Sequence, residues 1–192
     1  MADLETLLDD LVSGDEDRAQ AAVPALTVHG PKAVQALAGL VRAPVADRRW
    51  WAAYALAAFR GDRQAQDLLI QILDDPSDAV RQCAALALKQ NPTASAVEPL
   101  IRLMKGDDRL AARLAGDALS AVGLAAIPAL TQASKDPNPG VRIEAVRALA
   151  EMRHPDAIGP LFNCIDDPSS VVCHWAEEGL DRLGIGMMFF NP

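Results

Sequence analysis

Aromatic residues make up only 4% of this 192-residue chain, so its core must be built from aliphatic side chains. Cysteine is almost as scarce. Cys83, Cys164 and Cys173 are too few and too irregularly placed for a disulfide framework, and none forms a C-x-x-C pair; reduced, packed thiols are expected. No alternating run of Val, Ile, Thr and aromatic residues lies between turn signals, which excludes a mainly β architecture. Basic residues are outnumbered 18 to 26, and a formal net charge of -8 disfavours nucleic acid as a partner. No stretch of about 18 consecutive apolar residues occurs. Residues 1–10 carry acids and no base, unlike a secretory signal. A cytoplasmic chain with no membrane partner is expected.

Catalytic and metal-binding patterns are also missing. There is no G-x-S-x-G, no Walker loop, no G-x-G-x-x-G and no H-E-x-x-H. His29, His154 and His174 are scattered, and a zinc site needs at least three converging ligands. The acidic turns lack the spacing of a calcium loop. The chain therefore reads as non-enzymatic, with no metal and no cofactor.

What the chain does have is a repeat. Leu26, Leu56, Leu88, Leu119, Leu149 and Leu180 recur at intervals of 30, 32, 31, 30 and 31 residues. Ala22, Ala52, Ala84, Ala115, Ala145 and Ala176 keep the same register four positions earlier. Leu7, Leu37, Leu69, Leu100, Leu130 and Leu161 mark the other half of each unit, and a breaker separates the halves: Gly14, Pro44, Pro76, Asp107, Pro137 and Pro168. Proline lacks the amide proton a helix interior needs, so each unit reads as helix, turn, helix. Ser77, Asp108, Asn138 and Ser169 follow the breaker, where they are expected to cap the second helix. A period near 30 built this way specifies stacked units, each covering its neighbour's apolar face. The expected fold is all-α, a right-handed α-solenoid of about six helix pairs in a single domain. The units span about 1–30, 31–61, 62–91, 92–123, 124–153 and 154–184, with an apolar tail at 185–192.

The stretches Asp78 to Leu88 (DAVRQCAALAL) and Gly140 to Leu149 (GVRIEAVRAL) resemble the short HEAT-like repeat, whose second helix often begins with Val-Arg and runs through alanines to Ala-Leu. Val80 and Arg81, and Val141 and Arg142, fit best; Arg48 and Arg49 keep only the arginine, and Ala111–Ala112 and Val172–Cys173 have lost it. The resemblance implies that the arginine bridges adjacent repeats. Units this short are similar to the version named for phycobilisome bilin lyases, which is also spread through bacterial proteins of unrelated function.

Function is then to be sought where the repeat is broken. In solenoids of helix pairs the second helices line the concave face, the usual binding surface. The second helices of units two to six each project one outward pair: Trp50 and Tyr54, Gln82 and Leu86, Arg113 and Asp117, Ile143 and Arg147, His174 and Glu178. Trp50, Trp51 and Tyr54 concentrate two of three tryptophans and the only tyrosine in about one helical turn. Trp51 is expected to tuck towards the core, and Trp50 and Tyr54 to share an exposed face as an anchor or as packing. Arg113 and Arg147 offer charge-assisted bonds to an anion. Met187, Met188, Phe189 and Phe190 are too apolar for a free terminus and are expected to cap the last repeat or dock into a partner.

The reading that follows is a cytosolic scaffold or assembly adaptor binding another protein on its concave face. The site residues would be Trp50, Trp51, Tyr54, Leu86, Arg113, Ile143, Arg147 and His174. The alternative implied by the resemblance is a bilin lyase or chaperone-like subunit, with a bilin held in an aromatic and arginine-lined groove.

Overall fold

Proline, aspartate and glycine at the turns cut the chain into short helices: proline lacks a helical amide, aspartate offers free amides an acceptor, and glycine takes a positive φ. The computed structural model describes residues 3–185, and among these there are twelve α-helices and no strand. Contacts divide them into two compact units, Met1–Pro92 and Thr93–Pro192. The division falls between the third and fourth repeats, so each unit is a set of three helix pairs.

The first unit contains α1 (Leu4–Leu11), α2 (Glu16–Val28), α3 (Pro31–Leu40), α4 (Ala46–Leu56), α5 (Arg63–Ile72) and α6 (Asp78–Gln90). Within it α1 packs on α2, α3 on α4 and α5 on α6, while α2, α4 and α6 stack in sequence. The second unit contains α7 (Val97–Met104), α8 (Arg109–Val122), α9 (Ile127–Ala133), α10 (Pro139–Met152), α11 (Ile158–Phe162) and α12 (Ser170–Arg182). Its pairs are α7–α8, α9–α10 and α11–α12, with α8, α10 and α12 stacked. Short 3-10 turns at Ala94–Ala96, Gly123–Ala126 and Pro155–Ala157 lead into the first helix of each of these three pairs.

All twelve repeat leucines, from Leu7 to Leu180, are buried. Each fully buried leucine contributes about 1.5–3 kcal/mol relative to exposure. The alanines between them set the spacing, since a methyl group lets second helices approach closely. At Gly179 even that is too much: an added Cβ would lie 2.7 Å from the Ala150 Cβ and 2.8 Å from the Leu161 Cδ1.

Turn chemistry matches the expected caps in part. Asp108 and Asn138 accept bonds from the amides opening α8 and α10. Ser77 and Ser169 hold the cap positions of α6 and α12 without a side-chain bond. Their own amides instead donate to Asp75 (2.9 Å) and Asp167 (2.8 Å). Asn138 makes the same bond to Asp136 (3.0 Å) and still accepts from the Gly140 amide (2.9 Å), so the upstream carboxylate closes the turn without taking the place of the cap.

The arginine that follows these turns does bridge repeats within each unit. Arg49 donates to both Asp75 oxygens (2.7 and 2.9 Å) and to the Ala43 carbonyl (2.9 Å). Arg142 repeats the arrangement with Asp167 (both 2.9 Å) and the Asp136 carbonyl (3.0 Å). Arg81 donates to the Asp75 carbonyl at 2.8 Å, again six residues upstream. Cys173, which replaces the arginine in the last repeat, makes the same six-residue bond from its thiol to the Asp167 carbonyl (3.1 Å). Where Ala112 leaves the slot empty, Lys105 reaches the next turn's Asp136 at 3.1 Å. Burial would raise the Asp75 pKa, but Arg49 and the Ser77 amide outweigh it and hold it below the ordinary value of 3.8. The Asp167 carboxyl is lowered mainly by Arg142.

One stretch, Arg109–Ala133, is long and apolar enough to match a membrane span by composition, although it contains charged and polar residues and so is not one unbroken apolar run. It is two helices, not one: Gly123, at φ 76, ends α8 in a conformation that side chains with a Cβ disfavour. Ala111, Ala115, Ala118 and Leu119 on α8 are buried, and α8 packs on α7 and α10. The tail residues Met187, Met188, Phe189 and Phe190, expected to cap or dock, lie outside the described residues.

Candidate functional site

Trp50, Trp51 and Tyr54 sit on α4, which begins at the uncapped Val45 and ends in the buried Ala55–Leu56. The helical rotation of about 100° per residue separates them. Trp51 turns into the core of the first unit and is buried, while Tyr54 is 37% exposed and Trp50 lies between these extremes. The Trp50 and Tyr54 rings stack at 5.5 Å with an interplanar angle of 8°. Trp51 meets both edge-on, at 4.9 and 5.5 Å. Such contacts are worth about 0.5–1.5 kcal/mol beyond area burial, so the three rings form a stiff group. Leu86 on the neighbouring α6 is 43% exposed. The Cys83 thiol points at the Trp50 carbonyl at 3.6 Å, and burial pushes its pKa up to about 12.

Trp50 and Trp51 also line a cavity of about 550 Å³ at the amino-terminal ends of α2, α4 and α6, together with Glu16, Asp47 and Val80. The first-turn acids Glu16 and Asp47 are exposed. Neither stood out in the sequence, because acids are common at helix starts.

The second unit presents a different face. Arg113 and His174 are exposed and Ile143 is half-buried. Arg147, expected to project outward beside Ile143, is instead only 1% exposed. Its Nε donates to Glu144 (2.8 Å), its Nη1 to Glu151 (2.6 Å), and its Nη2 to the Arg113 carbonyl (2.9 Å). Asp117 on α8 completes the cage, 2.7 Å from Nη1. Burial alone would lower the Arg147 pKa, yet its bonds to Glu144 and Asp117 raise it above the ordinary value, so the guanidinium stays charged. Gly116 lies against the guanidinium, where a Cβ would come to a tight 3.0 Å from Nη2. The sequence did carry a signal, since Glu144 and Glu151 stand three before and four after Arg147 on one helix. With its donors facing these partners, Arg147 is not the anion-binding arginine expected.

His174 lies 5.8 Å from the Trp175 ring, whose other neighbour is the Arg182 guanidinium at 5.9 Å. Among the described residues no three His, Cys, Asp or Glu side chains converge as metal ligands.

The family model for HEAT repeats matches residues 4–89, 38–120 and 97–181. Among solved structures, the chain is similar to the complex of CpcE and CpcF of phycocyanin lyase from Nostoc sp. PCC7120. The identity is 24% and the TM-score 0.58, over 96% of this chain and 78% of that one. An engineered protein aligns at 23% identity and a TM-score of 0.55, over 97% and 98% of the two chains. A designed armadillo repeat protein in complex with the peptide (KR)4 aligns at 18% identity and a TM-score of 0.53, over 95% and 100%. These likenesses concern the fold. No curated protein matches the sequence. Three overlapping family matches spanning residues 4–181, on helix pairs stacked as described, establish that the chain belongs to the HEAT-repeat family of all-helical solenoids.

Proposed function

We propose that the chain is a non-enzymatic protein-interaction module, an adaptor or scaffold that docks a partner protein on the second-helix face of its first unit. The observation that carries this reading is the half-exposed Trp50–Tyr54 stack beside the exposed Leu86. Aromatic side chains of this kind dominate binding energy because they bury large area with little rotamer loss. Trp51 backs the stack from the core, which pre-organises it. The protein acts in the cytoplasm and needs no cofactor. The designed armadillo relative that holds a peptide supports such a use of a helical repeat surface.

Replacing Tyr54 and Leu86 together by alanine tests the proposal, with binding measured against partners captured by the intact protein. Loss of a partner is expected, with stability lowered by no more than the lost ring contacts account for, about 0.5–1.5 kcal/mol each. Unchanged binding with lowered stability would reduce the patch to packing.

The bilin reading rests on the likeness to the phycocyanin lyase complex. Arg147, which would have paired with a propionate, is enclosed by Asp117, Glu144 and Glu151, and only Arg113 of the expected pair is exposed. Mixing the protein with a bilin and recording absorbance decides it: no spectral shift removes the reading.

A further inference from the structure

We infer that the cavity at the starts of α2, α4 and α6 receives a lysine or arginine side chain of the docked partner. The inference rests on the docking reading above and names the chemistry of the occupant. Three observations converge. The cavity, about 550 Å³, is walled on one side by Trp50 and Trp51. Stacking on Tyr54 occupies one face of the Trp50 ring, and the ring still lines the cavity. The charged residues at the cavity are the acids Glu16 and Asp47, and no described Lys or Arg lines it.

Three nearby arginines are engaged elsewhere, and the exposed Arg48, next to Asp47 in the chain, does not line the cavity. Arg18 pairs with Asp10, Arg49 with Asp75, and Arg81 with Asp78 and the Asp75 carbonyl. Glu16 accepts a bond from Gln20 at 2.9 Å, a neutral donor that leaves its charge in place. Helix electrostatics account for acids at these first turns, but not for tryptophans beside them. An indole with carboxylates nearby is the environment that selects a cation, through the ring quadrupole and through ion pairing at once. An aliphatic partner side chain would leave both carboxylates beside an apolar group, and an acidic one would be repelled. The same chemistry suits an extended basic segment, and the (KR)4 peptide is such a probe.

The test is titration calorimetry of the intact chain with an eight-residue Lys–Arg peptide, with Gln and Glu octapeptides as comparisons. Binding of the Lys–Arg peptide alone is expected. The variant Glu16→Gln/Asp47→Asn should weaken it about tenfold, and Trp50→Ala by a similar factor. The variant Asp156→Asn/Glu177→Gln removes two exposed acids from the second unit and should change it by no more than about twofold. Equal losses in the two double variants would overturn the inference, because attraction would then be spread over an acidic surface. Absence of binding, equal binding of the Gln peptide, or preference for the Glu peptide would also overturn it. Circular dichroism melting of each variant separates lost binding from lost folding, and Glu16→Gln/Asp47→Asn carries the test if Trp50→Ala does not fold. A partner lost by Tyr54→Ala/Leu86→Ala but kept by Glu16→Gln/Asp47→Asn would overturn the basic occupant and leave the docking reading intact. Peptide binding that depends on Glu16 and Asp47, with no partner depending on Tyr54 and Leu86, would overturn the docking reading instead.

Discussion

The two units are built from the same repeat and carry the same charge, nine basic against thirteen acidic residues each, yet they put different chemistry on their second helices. In the first unit an aromatic stack stays at the surface beside acids without basic neighbours in their cavity. In the second an arginine that could have served a ligand is drawn under the surface by three carboxylates. Net charge therefore says little about what a repeat face can bind. Placement relative to neighbouring second helices says more: Asp117 and the Arg113 carbonyl, both on α8, hold the Arg147 guanidinium inward.

The comparison breaks first at Arg147. Arg147→Ala strands Asp117, Glu144 and Glu151 without their guanidinium and should cost about 3–5 kcal/mol, read from urea unfolding. A loss under about 1 kcal/mol would mean the cage is a surface ion cluster. The opposite unit supplies a counterpart of similar size: Trp51→Ala should cost about 3–5 kcal/mol by opening a cavity beneath the aromatic stack. It should weaken partner binding as well, whereas Arg147→Ala should leave binding in the first unit unchanged.

A smaller effect is expected at the inter-repeat arginines. Arg142→Ala removes charge-assisted bonds to Asp167 and should cost about 1.5–3 kcal/mol. Asp75 and Asp167 have folded pKa values below the ordinary 3.8, so their stabilisation is complete above that value. It disappears as pH falls through the lower folded value. Arg142→Ala should flatten this acid dependence, as seen in melting temperatures recorded from neutral pH down to about pH 3; an unaltered slope would show that other carboxylates set it. Smallest of all, Gln132→Ala and Asn163→Ala on the exposed side of the first helices should shift stability by no more than about 0.5 kcal/mol.

Much of the fold could be read directly. The period of the leucines located every helix pair, since a residue buried once per repeat must recur at the repeat length, and all twelve leucines are buried. The bridging role of the arginines was implied by the resemblance, and Arg49 and Arg142 perform it. The turns were harder: Ser77 and Ser169 occupy the cap positions but make no side-chain cap bond, while their amides donate to Asp75 and Asp167. At the candidate site, the inward turn of Trp51 followed from helical rotation, and so did the pairing of Trp50 with Tyr54. The burial of Arg147 followed only in part: Glu144 and Glu151 share its helix, but Asp117 and the Arg113 carbonyl are on another. The cavity beside Trp50 was illegible, being assembled from the starts of three helices far apart in the chain.

Sequence alone determined the helix pairs, their register and the buried leucine and alanine stripes, because those features obey local periodicities of the helix and of the repeat. Tertiary structure alone decided which outward positions stay outward. That outcome depends on which carboxylates, carbonyls and missing Cβ atoms a neighbouring helix presents, and no periodicity within one helix encodes them.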